Sequence, residues 1–259
     1  MDAIVIAGGV PLPDEPLFPF TQGKPKAMLD MCGKPMIQWV LDALDGANAV
    51  EQIVVIGMEE ENGLHSSKLK GFLPDQGSML ENIRYGTFEI VRINPNVGHV
   101  IVASSDIPAV LPEQIDWIVQ TAEKTDLDVY YNVVSRQVME SRFPGSNRSY
   151  VHLKDIDLCG GDLNIIRAAM VSEKDEIWAK IINARKNAFK QAALIGYDTL
   201  FLLMLRLISL NDAINKVTQR LHITGQAIVC PYAEIAMDVD KPHQLELMRA
   251  DLCRRVQAG

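Results

Sequence analysis

The chain has 259 residues, of which 48% are hydrophobic, enough apolar material for one large domain or two small ones. Its 25 basic and 33 acidic side chains give a formal charge of -8, which disfavours non-specific nucleic-acid binding through phosphate neutralisation. The most apolar stretch, residues 192–210, is interrupted by Gly196, Asp198 and Arg206, so we expect no membrane span. Because the net charge is negative, any phosphate ligand must be bound by positive side chains close to its site.

The cysteines are spread along the sequence without a CxxC pair, and the histidines are equally scattered. This spacing predicts neither a disulfide framework nor a zinc site, and it favours a reducing, cytoplasmic location. The first apolar run has no basic leader and no cleavage site, so we expect no signal peptide. The four cysteines are Cys32, Cys159, Cys230 and Cys253.

The first half of the chain alternates between strand and helix patterns. Strands are predicted for "DAIVIA", "EQIVVIG" and "GHVIVASS", and helices for "PMIQWVLDALDGA", "GSMLENIRYGTFEIV" and "PEQIDWIVQTAEKT". Such alternation is typical of a mostly parallel sheet with helices on both faces. The sequence therefore predicts an α/β protein with three layers, α/β/α.

The second half of the chain changes rhythm. Two β-rich segments, "DVYYNVV" and "RSYVHLKDIDL", precede a helical insert over residues 172–223, and a strand pair, "GQAIVC" and "AEIAMDVD", precedes the final helix, "PHQLELMRADLCRRV". We expect a single domain over residues 1–259. The apolar helix "LFLLMLRLISL" needs burial, so the insert is predicted to form either a lid over an acceptor site or a homodimer interface.

A loop rich in glycine and proline follows the first strand. Ligands bind at the carboxyl ends of parallel strands, and Gly8 and Gly9 lie at this position, where glycine lets backbone N–H groups approach a phosphate. Lys24 and Lys26 at the far end of the loop supply positive charge. The loop matches neither the P-loop nor the GxGxxG pattern. A tight turn followed by two solvated lysines is the alternative interpretation.

Acidic residues follow two other predicted strands. Asp106 ends the "VIVASSD" segment, while Asp238 and Asp240 alternate along "AEIAMDVD" and so would face opposite sides. Mg²⁺ prefers one or two carboxylates, with water and phosphate oxygens completing its shell. We therefore predict Asp106 and Asp238 as Mg²⁺ ligands and Asp240 as the cap of the final helix.

Four segments occur here in the order found in nucleotidyltransferases similar to molybdenum cofactor guanylyltransferase. They are "IAGG…KPKAMLDMCGKPMIQWVLDAL", "VASSDIP", "RSYVHLKDIDLCGGDLNIIR" and "DVDKPHQLELM". The chain resembles this family over nearly its whole length. The resemblance implies the nucleotide-diphospho-sugar transferase fold, which is GT-A-like and Rossmann-like. It also implies Mg²⁺-dependent transfer of NMP from an NTP to a phosphorylated acceptor (a sugar phosphate, an alcohol phosphate or a pterin), with release of pyrophosphate.

The same resemblance implies roles for individual residues. It assigns catalysis to Lys26 and Asp106, with Asp106 and Asp238 as metal ligands. Nucleotide binding is assigned to Ala7, Gly8, Gly9, Lys26, Ser78 and Asn82. Acceptor binding falls on Gly160, Gly161 and Asp162, and the segment leading to them adds Arg148 and Lys154, which are equally compatible with an ordinary surface strand.

The sequence departs from the family pattern in two places. Its glycine loop has no arginine and contains Asp14 and Glu15, and Asp162 stands where asparagine is commoner, so an ionised side chain there only accepts hydrogen bonds. Two other functions therefore stay open: a GT-A-type glycosyltransferase that uses an NDP-sugar, and a noncatalytic nucleotide-binding regulator. The nucleobase also stays open.

Overall fold

The structure, a computed structural model, describes residues 1–59, 63–173, 178 and 195–258. Within these residues the strands are β1 Asp2–Ile6, β2 Ile53–Ile56, β3 Leu69–Leu73, β4 His99–Ser104, β5 Val129–Ser135, β6 Val151–His152, β7 Asp157–Gly160, β8 Leu163–Arg167 and β9 Gly225–Cys230. The helices are α1 Phe18–Thr21, α2 Met36–Gly46, α3 Met79–Ile93, α4 Pro112–Ala122, α5 Arg136–Arg142, α6 Met170–Glu173, α7 Tyr197–Met204, α8 Leu210–Leu221 and α9 Pro242–Ala258.

The described strands form one sheet in the order β3-β2-β1-β4-β8-β5-β7-β6, with β9 added in parallel along β5. Strands β1 to β4 are mutually parallel. Only β7 and β8, among the strands described, run against the common direction. The prediction of a mostly parallel sheet is therefore confirmed.

Side chains alternate between the two faces of the sheet, as the period of a strand requires. In β1, Ala3 and Val5 pack into the core that also contains the buried faces of α2 and α4. Ile4 points the other way and packs with Ile90 of α3. Helices thus cover both faces, and the three-layer prediction is confirmed.

The parallel register brings three strand ends to one edge of the sheet. Ile6 of β1 pairs with Ile56 of β2 and with Ser104 of β4. The residues that follow these strands therefore emerge side by side, which is the usual place for a ligand in an open α/β sheet.

The prediction of a strand for "AEIAMDVD" is wrong. Ala233–Ala236 is a 3-10 helix, and residues 237–240 are irregular. The four residues of the 3-10 helix are all buried, whereas the residues of a half-buried strand would alternate between buried and exposed. Strand β5 is also already paired, with β9 on one side and with β7 and β8 on the other.

The prediction of no disulfide is also wrong for two of the four cysteines. Cys32 and Cys253 form a disulfide, although 221 positions separate them in sequence, while Cys159 and Cys230 are buried thiols. Cys32 lies in a tight turn, with φ +59°, and Arg249 Nε of α9 donates a 2.8 Å hydrogen bond to Asp30 O beside it. Spacing along the chain carries no information about such a non-local contact.

The predicted insert is only partly described, because residues 174–177 and 179–194 lie outside the described residues. Trp178 is buried, and its Nε1 donates to Met170 O at 3.1 Å. Helices α7 and α8 form the rest of the described insert. Its role and the single-domain boundary stay predictions. Across the described ranges, no helix is long and apolar enough to cross a membrane.

Candidate active site

The glycine loop follows β1 and packs closely against the end of β2. Gly57 has φ +101°, and a Cβ there would lie 2.3 Å from Gly8 N, so position 57 requires glycine. The N–H groups of Gly8 and Gly9 donate to no acceptor among the described residues. The loop therefore offers free backbone donors at the carboxyl edge of the sheet.

The far end of the loop returns to its beginning. Lys26 N donates a 2.8 Å hydrogen bond to Gly9 O, which holds the lysine beside the glycines. Lys24 is exposed and is not among the residues that line the neighbouring cleft. The two lysines of the loop are thus unequal, and only Lys26 faces the candidate site.

Main-chain hydrogen bonds join the acidic segments to the sheet edge. Ser105 N donates to Ile6 O at 3.0 Å, and Val239 N donates to Asp106 O at 3.0 Å. Asp162 O accepts from Ser104 N at 2.8 Å. These bonds bring residues 106, 162 and 238–240 together although they are far apart in sequence.

Lys26 lies between two carboxylates. Its Nζ is 2.6 Å from Asp106 Oδ2 and 2.6 Å from Asp240 Oδ1, and its side chain is 17% exposed. Burial alone would lower the pKa of Lys26, but the charges and hydrogen bonds of Asp106 and Asp240 outweigh it and raise that pKa. Lys26 is therefore a fixed positive charge.

Asp238 contacts a different cation. Its carboxylate pairs with Arg148, whose Nη2 is also 3.8 Å from Asp162 Oδ2. Asp240, which the sequence assigned as a helix cap, instead contacts Lys26, and the amide of Gln244 accepts from the Asp240 and Lys241 N–H groups. The sequence missed Asp240 because the strand expected there would have turned its side chain away.

Asp162 stands in an acidic environment. Burial, followed by the charge of Asp106, raises the pKa of Asp162 to about 7, and the smaller effect of Arg148 acts in the opposite direction. Asp162 Oδ2 is buried and has no hydrogen-bond partner among the described residues. A neutral or hydrogen-bonded ligand suits this side chain better than a second anion.

Two clefts meet at Asp240. The glycine-loop cleft, of about 400 Å³, is lined by Gly9, Val10, Pro11, Glu15, Pro16, Leu17, Lys26 and Asp240. The Arg148 cleft, of about 410 Å³, is lined by Tyr131, Asn147, Arg148, Ser149, Cys159, Gly160, Asp162, Asp240, Lys241 and Gln244. Two ligands bound in these clefts would meet near Lys26 and Asp240.

The structure places the predicted acceptor residues differently from one another. Gly160 lies against Tyr131, whose hydroxyl would be 2.3 Å from a Cβ at that position. Gly161 is buried behind the cleft, and Gly161 N donates to Asn132 O. Lys154 is exposed in the turn between β6 and β7 and is not among the residues that line the Arg148 cleft.

Ser78 and Asn82 brace the loop before α3. Ser78 caps the helix, since its hydroxyl accepts from Glu81 N. Asn82 is buried, and it accepts from Gln76 N and donates to Asp75 Oδ1, each at 2.7 Å. The side chains of Ser78 and Asn82 therefore hold the shape of this loop. Ala7 is buried at the end of β1, so only its backbone can contact a ligand.

The carboxylates around Lys26 fit one divalent cation. Among the described residues, no group of three or more His, Cys, Asp or Glu side chains has the geometry of a metal site. Mg²⁺ needs fewer protein ligands, however, and Asp106 Oδ1 is buried without a described partner. Asp240 lies next to Asp106, while Asp238 is already paired with Arg148.

Comparison with known proteins gives the family. The model of the MobA-like NTP transferase domain matches residues 3–258, so the chain belongs to this family. A hypothetical transferase from Thermus thermophilus is 30% identical, with a TM-score of 0.81 over 94% of this chain and 98% of that chain. The resemblance inferred from the sequence motifs is confirmed.

Two further comparisons add detail. A CMP:2-keto-3-deoxy-manno-octonic acid synthetase solved with CTP has a TM-score of 0.62 over 98% of this chain and 99% of that chain, and at 16% identity it shows the fold alone. A probable molybdenum cofactor guanylyltransferase from Thermococcus kodakarensis is 26% identical over 39% of this chain and 48% of its own length. The chain spans less than half the length of the curated relatives it matches.

Proposed function

We propose that this protein is a Mg²⁺-dependent nucleotidyltransferase that transfers NMP from an NTP to a phosphorylated small-molecule acceptor and releases pyrophosphate. The observation that supports this most is Lys26 Nζ, 2.6 Å from both Asp106 and Asp240, beside a glycine loop at the carboxyl edge of the sheet. Family membership supports the reaction class. The relatives differ in nucleotide and acceptor, since one was solved with CTP and another is a probable guanylyltransferase, so the test below covers several of each.

This reaction requires neutralisation of the charge on the reacting phosphates rather than a nucleophile from the protein. An acceptor oxygen attacks the α-phosphorus in line, and the bond to the bridging oxygen of pyrophosphate breaks. Lys26 supplies positive charge to the reacting phosphate, and the Gly8 and Gly9 N–H groups hold phosphate oxygens. Mg²⁺, held by Asp106 and Asp240 rather than by the Asp238 of the sequence hypothesis, would neutralise the remaining phosphate charge.

The Arg148 cleft is the proposed acceptor site. It adjoins the glycine-loop cleft at Asp240, and its lining is mostly polar. Arg148 shares its charge with Asp238 and Asp162, whereas Lys241 has no ion pair among the described residues. We therefore propose that an anionic group of the acceptor binds near Lys241, with hydroxyl groups facing Asp162.

We also propose a cytoplasmic location and a homodimer. The proposed NTP substrate supports the cytoplasmic location. The Cys32–Cys253 disulfide is evidence against it, because disulfides are rare in the cytoplasm outside hyperthermophiles.

The homodimer is supported by the exposed apolar side chains of Tyr197, Phe201 and Met204 on α7, which favour association through this helix. Light scattering that finds only monomers over a wide concentration range would contradict the dimer.

The test of the reaction is pyrophosphate release. The protein is incubated with Mg²⁺, each of five NTPs and a panel of sugar phosphates, alcohol phosphates and phosphorylated pterins. We expect release that depends on one acceptor class and falls about 10²–10³-fold in Lys26→Ala, the usual cost of losing one transition-state donor. Lys24→Ala, on the same loop, is the control and should retain the rate. A normal rate in Lys26→Ala would refute the assignment.

A further inference from the structure

The Lys26 ammonium bridges two carboxylates. Its nitrogen is 2.6 Å from an oxygen of each of two carboxylates, and those carboxylates come from segments more than 130 residues apart. All three groups are held at one point near the sheet edge. A cation between two carboxylates reduces the repulsion between them, and a single ammonium offsets only one of the two negative charges.

The two carboxylates offer more oxygen than the ammonium uses. Asp106 Oδ1 is buried and has no hydrogen-bond partner among the described residues. Carboxylate oxygens are the protein ligands that hard divalent cations prefer. The carboxylate oxygens around Lys26 Nζ thus suit a cation with more positive charge than an ammonium.

The backbone segments that carry the two carboxylates are tied to each other. Val239 N donates to Asp106 O, which ties the backbone before Asp240 to the backbone after β4. The ammonium of Lys26, by contrast, ends a flexible four-carbon side chain. Lys26 also lines the glycine-loop cleft, so its ammonium has a neighbouring space to enter.

We propose that Lys26 occupies the divalent-cation position in the metal-free protein and that cation binding between Asp106 and Asp240 drives its ammonium into the glycine-loop cleft. The proposal rests on the proposed function, because it concerns the same site. An ammonium and a divalent cation repel each other and cannot share the same two carboxylate oxygens. Metal binding therefore releases the positive charge that the triphosphate needs, and without metal Lys26 is held by its carboxylates.

The exchange predicts that removing the lysine strengthens metal binding. Mn²⁺ serves as the probe, and free Mn²⁺ is measured by electron paramagnetic resonance during titration of the protein without nucleotide. Lys26→Met and Lys26→Gln both lack the competing ammonium, so we expect their Mn²⁺ dissociation constants to be at least about tenfold lower than that of the wild type. Circular dichroism confirms folding of each variant.

Two controls locate the effect. Lys24→Met removes an exposed lysine of the same loop and should leave the Mn²⁺ affinity at the wild-type value. Adding Asp106→Asn to Lys26→Met should abolish the gain. Affinity in both Lys26 variants that equals or falls below that of the wild type would overturn the exchange, as would Mn²⁺ binding to none of the proteins. Pyrophosphate release by the wild type, measured separately, would show whether the transferase assignment survives that result.

Discussion

Asp162 lies among the charges of the site. Arg148 is near one side of its carboxyl group, and Asp106 and Asp240 contribute negative charge. Burial, with these acidic neighbours, raises the pKa of Asp162 to about 7. A carboxylic acid in the folded protein near neutral pH would donate as well as accept hydrogen bonds, much as the asparagine of related sequences does.

The raised pKa predicts how stability changes with pH. The unfolded chain releases the Asp162 proton near pH 4, whereas the folded protein keeps it until about pH 7. Asp162 therefore lowers the free energy of unfolding progressively as pH rises through this window. Asp162→Asn lacks this effect, so its stability relative to the wild type should increase from about pH 4 to about pH 7 in urea titrations with EDTA. Parallel pH profiles for the two proteins would contradict the raised pKa.

Asp106 could be predicted from the sequence because it follows a strand whose position is set by local pattern. The pattern left Lys24 and Lys26 equivalent, and the family resemblance singled out Lys26. The structure brings Lys26 and Asp106 to one point. Asp240 could not be predicted, since its orientation depends on the 3-10 helix at Ala233–Ala236 and on a hydrogen bond from Val239 to Asp106. Side-chain direction in an irregular segment is set by such non-local contacts, not by alternation.

At the scale of elements, periodicity located the regular parts of the fold. The apolar spacing of α2, α3 and α4 and the apolar run of β4 predicted their position and type. Strands β3 and β8 escaped prediction because neither has a clear apolar run. Strand β3 contains Lys70 and Gly71 and has no buried residue, and β8, inserted antiparallel between β4 and β5, contains Asn164 and Arg167. Such strand order depends on contacts between distant segments.

The Cys32–Cys253 disulfide fastens α9 to the turn that follows Lys26. A cross-link across 221 positions removes much of the freedom of the unfolded chain and typically contributes about 2–4 kcal/mol to stability. We expect a reductant to lower the thermal midpoint of the wild type. In the double variant Cys32→Ser/Cys253→Ser the midpoint should start low and not respond to the reductant. An unchanged wild-type midpoint under reducing conditions would contradict a stabilising disulfide.

At the scale of the whole molecule, the sheet edge of this acidic protein brings a few cations together with several aspartates. The chain has a formal charge of -8, so long-range attraction does not favour a triphosphate. Lys26, Arg148 and Lys241 lie around two adjoining clefts, but Lys26 and Arg148 are each paired with aspartates. We therefore propose that a metal cation and oriented backbone donors are needed to hold a triphosphate here.

Nucleotide-dependent stabilisation tests this account most directly. The thermal midpoint is measured with GTP, CTP, UTP, ATP and TTP, each with and without Mg²⁺, for the wild type and for Asp106→Asn. We expect one nucleotide to stabilise the wild type only with Mg²⁺, by about 2.7 kcal/mol at a hundredfold excess over its dissociation constant, and to lose this effect in Asp106→Asn. Stabilisation by none of the five, or stabilisation that Asp106→Asn retains, would contradict a metal-dependent triphosphate site between the glycine loop and Lys26.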